Sequence, residues 1–458
     1  MKPEIPMIEH VIGTKFKDLS PEAIKKTKIF LLDTIGCSLA GTSGPSAKEI
    51  LNAAKVWGEG KSSRVWGTHK ALPHTSAAIV NAYQIHCLEF DCVHESGVLH
   101  PMSTLIGAAL TEIDRQHYQG IQISGKDFIE AIIVGIDVSC SIAKSSNAPM
   151  RFFRPALTGG FGATASVAKL RRFGSKELHN ALGVYYGQAG GNMQAHIEGS
   201  KVLGLQVGFG ARNALVACDL AEKNIEGPKD FLTGKYGYFN LMEGEGLYDL
   251  DPAWQEWGRA SRILEVGHKP FPSGRLTHYA IDALQNLKKT HGFMDHDVEK
   301  VICRVPPLTL RLVGRPYKEN AQPNYAKLCL GYICALTLIY GEVSQEDFHP
   351  QKLSDKKIGI LAKKITVELD DNKDLNAFGP QEITVFLKNN QKFKYSSTYA
   401  IGHPENPLNR KQQLDKFFYC WKMAENKIPH KNAEDIIHKI DTLENLNNAT
   451  ELIDLITI

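Results

Sequence analysis

Apolar and polar residues alternate with helical periodicity through the first 265 residues of the chain, which predicts a bundle of helices. The clearest helix spans residues 20–41, where Ser20 is the predicted N-cap and Pro21 occupies the first helical position. Similar apolar segments, rich in small residues, predict helices over residues 74–90, 103–115, 126–144, 158–170, 176–189 and 206–223. Their many alanines and glycines indicate that these helices pack closely.

The pattern changes near residue 266, where strand-like alternation begins between helices. After a helix predicted over residues 277–290, alternating segments predict strands over residues 298–306, 364–371, 382–388 and 392–397. Asn389 and Asn390 tolerate positive φ and predict a hairpin turn between the last two strands. The apolar run over residues 323–343 predicts one buried helix.

These patterns predict a mainly α protein in which a large all-helical domain carries an inserted, smaller α+β domain. We place the all-helical domain at residues 1–265 and the α+β insertion at residues 266–400. Residues 401–458 return to helical periodicity, and we expect these C-terminal helices to rejoin the first domain. A chain of 458 residues is long enough for two or three domains.

Composition excludes several classes of function. The 53 Lys and Arg residues nearly balance the 50 Asp and Glu residues, which argues against a nucleic-acid partner. No uncharged apolar run reaches the roughly 18 residues of a membrane-spanning helix, so no membrane partner is expected. The nine cysteines form no C-x-x-C pair, and the start of the chain lacks a signal-peptide pattern, so we expect a cytoplasmic protein.

The segment from residue 86 to residue 101 is the most unusual in the chain. It contains three histidines and three acidic residues: His86, Glu89, Asp91, His94, Glu95 and His100. Imidazole titrates near neutral pH and a neighbouring carboxylate selects its tautomer, so one interpretation is a general acid/base centre. A solvated loop between helices is the alternative. A metal site is a weaker alternative, because the spacings match no established ligand motif.

Positive charges gather at three further places along the chain. They are Arg151 and Arg154 before a glycine-rich helix start, Lys201 before another helix, and Lys269, Arg275 and His278 around a proline-rich turn. The alternatives are close helix packing with surface arginines at the first place and a solvated surface charge at Lys201, which is the usual role of a lone lysine. Helix N-termini and arginines bind carboxylates, and no cofactor fingerprint is present, so we expect a small polycarboxylate substrate, no cofactor and no metal.

Several ordered motifs resemble the MmgE/PrpD family. They are LLDTIGCSLAG (31–41), the histidine-rich segment ending in His100, RFFRPALTGGFGATASVAKL (151–170), GPKDFLTGKYGYF (227–239) and HKPFPSGRLTHYAIDA (268–283). This family includes 2-methylcitrate dehydratases, cis-aconitate decarboxylases and an iminodisuccinate epimerase. The resemblance implies that the α+β insertion is a lid domain, that the active site lies between the two domains, and that the protein is a homodimer.

The resemblance also implies roles for individual residues. His100 corresponds to a catalytic acid/base, with Asp91 and Glu89 as the upstream acidic residues. Lys201 and Lys269 correspond to lysines that bind substrate carboxylates or polarise the reacting centre. We add, as substrate-binding residues, Arg154, Arg151, Arg275, His94 and His278.

Two positions depart from the family pattern. Cys92 replaces a carboxylate, and Arg154 stands where decarboxylase-like members carry a histidine, which argues against cis-aconitate decarboxylation itself. The sequence therefore predicts a cofactor-independent lyase that dehydrates a citrate-type acid or decarboxylates an aconitate-like acid. An epimerase of an iminodisuccinate-like acid, a non-catalytic carboxylate-binding protein and a metal-dependent hydrolase are the alternatives.

Overall fold

The computed structural model describes residues 2–458, which form many helices and small sheets. The predicted fold class, mainly α with a smaller α+β part, is therefore confirmed. None of the helices within residues 2–458 is both long and apolar enough to cross a membrane.

Helices are the main elements of the first part of the chain, and loops and short strands connect them. Its helices are α1 (Glu4–Gly13), α2 (Pro21–Ala40), α3 (Ala47–Ala54), α4 (His74–His86), α5 (Pro101–Tyr118), α6 (Gly125–Lys144), α7 (Arg154–Leu170), α8 (Ser175–Tyr186), α9 (Gln194–Glu198), α10 (Val202–Glu222) and α11 (Asp251–Trp254). Its short strands are β1 (Ser63–Arg64), β2 (Ala71–Leu72), β3 (Val93–His94) and β4 (Val266–Gly267), and β1 pairs antiparallel with β2.

The remaining elements mix helices with the longer strands. In chain order they are α12 (His278–His291), β5 (Val298–Val305), α13 (Pro307–Val313), α14 (Pro323–Ala326), α15 (Leu330–Tyr340), α16 (Pro350–Leu353), α17 (Lys356–Ala362), β6 (Ile365–Leu369), β7 (Gln381–Leu387), β8 (Lys392–Ser397), α18 (Arg410–Lys422), α19 (His430–Asp441) and α20 (Glu451–Ile456). All four predicted strands are present within one or two residues of their expected bounds.

The chain divides into two compact units. The first contains the residues up to Asn192, Gly204–Val266 and Asn409–Ile458, and the second contains Met193–Leu203 and Gly267–Leu408. The predicted domain boundaries, 265/266 and 400/401, stay predictions, because a compact unit need not be a functional domain.

The first unit is built around a continuous apolar core. Side chains of α2, α5 and α6 share this core with side chains of the C-terminal helices, such as Phe417 and Ile436. Close helix packing explains the abundant small residues. A Cβ atom on Gly162 of α7 would lie 2.2 Å from the backbone oxygen of Gly135 on α6, so only glycine allows this approach.

A four-stranded sheet with the order β6-β5-β7-β8 organises the second unit. Strands β5 and β6 are parallel and are connected through helices, as a parallel pair requires, whereas β7 is antiparallel to both of its neighbours. The predicted hairpin between β7 and β8 is confirmed, and Asn390 adopts φ 67° at its turn. Ile383 and Val385 of β7 are fully buried.

Several predicted helices have different bounds in the structure, and two of the differences have a clear physical reason. The single helix predicted over residues 323–343 is wrong, because the chain forms α14 and α15 with an extended residue, Cys329, between them. Cys329 forms an antiparallel bridge with Gly314, and this contact replaces helical hydrogen bonding. The helix predicted over residues 74–90 ends at His86, because Glu89 turns into the left-handed region with φ 55°.

Candidate active site

His100 lies at the start of α5, and 14% of its side chain is exposed. It is the N-cap residue, and Pro101 occupies the first helical position, where its missing N–H costs nothing. The Nδ1 atom of His100 lies 2.8 Å from the backbone oxygen of Cys92. Because a carbonyl oxygen only accepts hydrogen bonds, Nδ1 carries the proton. Nε2 is therefore the basic nitrogen of the neutral ring.

Asp91 is fully buried between two histidines. One carboxylate oxygen of Asp91 lies 3.6 Å from Nδ1 of His100, and both oxygens lie 3.0 Å from Nδ1 of His86. A buried carboxylate is costly unless it has a partner, and the two imidazole rings supply one on each side. Asp91 is therefore placed to stabilise a proton on His100.

His86 extends this network to a second carboxylate. Its ring centroid lies 4.8 Å from that of His100, and its Nε2 atom lies 3.6 Å from Oε1 of Glu89. The resulting order is Glu89, His86, Asp91, His100, and every member except His100 is at least nine-tenths buried. Carboxylates therefore lie next to both ring nitrogens of His86, and each can accept a hydrogen bond from the nitrogen that it faces.

The loop that carries these residues holds two unusual backbone conformations. Glu89 and Val98 have φ values of 55° and 52°, in the left-handed region that non-glycine residues, and β-branched residues above all, seldom adopt. A backbone bridge between His94 and Leu99 closes the loop, with N–O distances of 2.9 and 3.2 Å. Strained residues of this kind persist when the surrounding structure holds them, and they concentrate at functional sites.

Cys92 occupies the position where the family pattern has a carboxylate. It is fully buried, and burial raises the pKa of its thiol well above the usual value; the nearby Asp33 and Asp91 carboxylates raise it further. The thiol therefore stays neutral, and Cys92 contributes to the site through its backbone oxygen, which accepts the hydrogen bond from His100.

The same residues are the candidates for a metal site. Within residues 2–458, His86, Asp91 and His100 form one group whose potential ligand atoms lie within 4.8 Å of one another. However, Nδ1 of His100 donates a hydrogen bond to the Cys92 oxygen, and Nδ1 of His86 faces the Asp91 carboxylate. A metal at these atoms would have to displace both protons, so the donor set fits a proton-bearing network better than a cation.

His94 has both of its ring nitrogens engaged within the first unit. Nδ1 accepts a hydrogen bond of 3.0 Å from the backbone N–H of Gly97, so Nε2 carries the proton and donates to Glu265 at 2.9 Å. His94 is fully buried. These contacts hold the loop in its observed conformation. The predicted role of His94 in substrate binding stays a prediction.

The partner of His94 makes the stability of this unit depend on pH. Burial alone raises the pKa of Glu265, but hydrogen bonds from His94 and Arg262 outweigh it and hold the pKa below its ordinary value of 4.5. Such a carboxylate stabilises the fold above its unfolded pKa, and this stabilisation is lost as pH falls through the folded pKa.

We therefore expect Glu265→Gln to lose less unfolding free energy than the wild type when pH is lowered from about 5 to about 3. Urea denaturation at the two pH values measures this difference. Glu226, an exposed carboxylate of the same unit, is the matched control, and its glutamine variant should behave like the wild type. Equal losses in wild type and Glu265→Gln would contradict the assignment.

Arg154 is the first residue of α7 and is 1% exposed. Its guanidinium donates to the hydroxyl of Ser146 at 2.9 Å and lies 3.4 Å from Oε2 of Glu243. Tyr238 donates to the other oxygen of Glu243 at 2.6 Å. The charge of Arg154 is thus balanced by a carboxylate of its own unit. Its predicted contact with substrate stays a prediction.

Two of the predicted cations lie at the surface. Arg151 is exposed in the segment before α7, and Lys201 is exposed in the turn before α10. Both can reach a ligand without breaking an internal contact, and their predicted roles stay predictions.

The proline-rich turn of the second unit buries its charged residues. Lys269 and His278 are fully buried, and Arg275 is 4% exposed. The Arg275 guanidinium donates to the backbone oxygen of Ile401 at 2.7 Å and contacts Nδ1 of His278 at 3.4 Å. Because arginine only donates, Nδ1 of His278 is an acceptor. The guanidinium also donates to the backbone oxygen of His268 at 3.4 Å, and in this way Arg275 helps to fix the segment that carries Lys269.

The structure brings together three predicted residues, His100, Asp91 and Glu89, and adds one that the prediction omitted. His86 was part of the unusual segment but was not among the predicted site residues. The helix predicted over residues 74–90 would have placed His86 and Glu89 on one face, and this i, i+3 spacing was the sequence signal. The contact of His86 with Asp91 depends on the turn that follows the helix.

The first unit holds a buried network of histidines and carboxylates, and the second unit is smaller and of α+β type. Comparison with known proteins agrees with this description. The chain is 26% identical to the cis-aconitate decarboxylase of Mus musculus, over 97% of this chain and 91% of the relative. It is 23% identical to the cis-aconitate decarboxylase of Aspergillus terreus (95% and 93%) and 22% identical to the 2-methylcitrate dehydratase of Escherichia coli K12 (84% and 83%).

The MmgE/PrpD N-terminal domain matches residues 7–250, and the MmgE/PrpD C-terminal domain matches residues 271–444. The chain belongs to the MmgE/PrpD family. The family resemblance inferred from the sequence motifs is therefore confirmed.

Proposed function

We propose that this protein is a lyase that acts on a small di- or tricarboxylic acid by acid/base catalysis, with His100 as the acid/base. One observation carries the proposal. Nδ1 of His100 donates to the Cys92 oxygen and lies 3.6 Å from the Asp91 carboxylate, so Nε2 is the nitrogen that carries the lone pair of a base. The names of the relatives support the substrate class, since they are decarboxylases and dehydratases of tricarboxylic acids.

In a dehydration, His100 Nε2 removes the proton from the carbon next to a substrate carboxylate. The electrons of the C–H bond form the new C=C bond, and the hydroxyl on the adjacent carbon leaves as water with the proton that His100 has just removed, so His100 acts first as base and then as acid. Asp91 stabilises the imidazolium that forms on His100. In a decarboxylation, the C–C bond to a carboxylate breaks instead and CO₂ leaves. The electron pair left on carbon then takes up a proton from an acid, which the unprotonated Nε2 of neutral His100 does not supply.

The ion pair between Arg154 and Glu243 favours dehydration over decarboxylation. Arginine does not act as an acid at neutral pH, and here its charge is paired with Glu243. The position that carries a histidine in decarboxylase-like members therefore offers no second proton donor. Both reactions are included in the test, because the family contains enzymes of both kinds.

The test is an NMR assay in D₂O with citrate, 2-methylcitrate, cis-aconitate and iminodisuccinate as substrates. Loss of water or CO₂ supports a lyase, whereas exchange of the α-proton for deuterium without net elimination identifies an epimerase. Binding of a dicarboxylate by calorimetry without turnover or exchange identifies a carboxylate-binding protein. Neither of the last two results is compatible with the proposed lyase.

We also assign substrate binding to Lys269, and we expect Lys269→Met to lower kcat/KM by roughly 10- to 150-fold, the cost of one hydrogen bond to a charged group. Steady-state kinetics with the substrate found in the assay measure this effect. Lys288 is the matched control, because it lies in the same unit, is half-buried and donates to the backbone oxygen of Leu338. Equal effects of Lys269→Met and Lys288→Met on kcat/KM would contradict the assignment.

The same proposal includes three further points: the smaller unit acts as a lid, the protein is a homodimer, and it is located in the cytoplasm. All nine cysteines are free and buried, which suits a reducing compartment. Light scattering on the purified protein tests the dimer, since a dimer has twice the chain mass of 50.7 kDa.

A further inference from the structure

A buried ion pair between Lys416 and Asp33 lies next to the loop that carries Asp91. The ammonium of Lys416, on α18, lies 2.6 Å from a carboxylate oxygen of Asp33, on α2, and both side chains are at most 5% exposed. Burial alone lowers the pKa of Lys416, but the Asp33 carboxylate outweighs it and holds the pKa above its usual value. Lys416 is therefore a charged donor inside the first unit.

The second contact of this lysine is with the loop itself. The Lys416 ammonium donates to the backbone oxygen of Phe90 at 2.7 Å and lies 4.3 Å from the centre of the Phe90 ring. That ring packs edge-on against Tyr419, one turn along α18, with 6.2 Å between ring centroids. Phe90 is thus held through both its backbone and its side chain by one helix.

The Phe90 oxygen belongs to the peptide group that joins Phe90 to Asp91. A peptide group is planar, so fixing its oxygen also fixes the orientation of the Asp91 nitrogen and limits the positions of the Asp91 side chain. The preceding residue, Glu89, is in the left-handed region, which the loop would not keep without such support. A misplacement of about 1 Å at a catalytic group can cost about 100-fold in rate.

We propose that Lys416, held by Asp33, is a positioning residue that fixes the Phe90–Asp91 peptide and thereby aims Asp91 at His100. The inference rests on the proposed function insofar as Asp91 assists catalysis by His100. Lys416 does not touch the substrate; it acts through Asp91. The pair thus connects α18 to the acid/base network.

The test uses Lys416→Met in the full-length protein. We expect kcat per folded molecule to fall by roughly 10- to 100-fold, with KM little changed, because the base loses its oriented carboxylate. If Lys416 acts through Asp91, Lys416→Met should lower kcat far less in an Asp91→Asn background than in the wild type. If the role of Lys416 is purely structural, Lys416→Met lowers kcat by the same factor in both backgrounds, and that result would overturn the inference.

Arg171→Met is the matched control. Arg171 forms a buried ion pair with Glu112 in the same unit, with an N–O distance of 2.9 Å and side chains at most 3% exposed. Its loss should lower the thermal midpoint of unfolding without changing kcat per folded molecule. Lys416→Met leaves the Asp33 carboxylate buried without its partner, which can prevent folding. In that case the double variant Asp33→Asn/Lys416→Met, which leaves no uncompensated buried charge, takes the place of the single variant in the same comparison.

A crystal structure of Lys416→Met, or of the double variant, separates this inference from the proposed function. We expect the Asp91 carboxylate to move away from His86 and His100. An unmoved Asp91 overturns the inference even if no substrate is found. Conversely, if the wild-type protein turns over no substrate, the proposed function is overturned. A displaced Asp91 in the variant structure would still support the positioning role of Lys416.

Discussion

The His100→Asn variant is expected to lose about 10²- to 10⁴-fold in kcat, the usual contribution of a general acid/base. Asparagine retains a side-chain N–H that can donate to the Cys92 oxygen, and it is a favourable N-cap residue for α5. The substitution therefore removes the basic nitrogen while it preserves the local fold. Steady-state turnover and deuterium exchange at the α-carbon of the substrate measure the loss.

A second histidine of α5 provides the control for this experiment. His117 is exposed near the C-terminal end of the same helix, so His117→Asn should retain wild-type kcat. If His100→Asn turns over substrate as fast as His117→Asn, then His100 is not the acid/base. The remaining histidine of the network, His86, would be the next candidate.

Asp91→Asn should also reduce kcat strongly, by about 10²- to 10⁴-fold. The Asp91 carboxylate faces the Nδ1 atoms of both His86 and His100 and can accept from each. An asparagine has only one oxygen, and its NH₂ group would oppose one of the two N–H groups. One ring must then turn or change its tautomer, and the imidazolium of His100 loses its countercharge. Kinetics at saturating substrate measure the effect.

Asp137 supplies a control of the same chemistry. It is 3% exposed on α6 and contacts Nε2 of His10 at 3.0 Å, so it is another buried aspartate–histidine pair of the first unit. Asp137→Asn should lower the unfolding free energy but leave kcat per folded molecule unchanged. If the two asparagine variants lose kcat equally, Asp91 matters for the fold and not for the acid/base step.

Much of the fold could be predicted because helices and strands leave local signals. Ser20 caps α2 by accepting a hydrogen bond from the backbone of Ala23, as its residue type predicts. The four strands of the second unit show the expected alternation, and Asn390 forms the expected turn. These features depend on neighbours in the chain, which the sequence displays directly.

The helix predictions were wrong where contacts with a distant segment outweigh the local preference for a helix. The apolar run over residues 323–343 has helical periodicity throughout, yet Cys329 is extended because it bridges to Gly314. Likewise, α4 ends at His86 although apolar residues continue, because the following loop is buried against α18 through Lys416 and Phe90. Tertiary contacts overrode periodicity at both places.

By itself, the sequence determined the mainly α fold class, the strands of the second unit, the family and the segment that holds His100, Asp91 and Glu89. The tertiary structure alone decided which nitrogen of His100 is basic, that His86 joins the network, that Arg154 is paired with Glu243, and that Lys416 supports the Asp91 loop. The physical reason is that periodicity and capping are properties of adjacent residues. Tautomers and charge pairing instead depend on burial and on partners that come close only after folding.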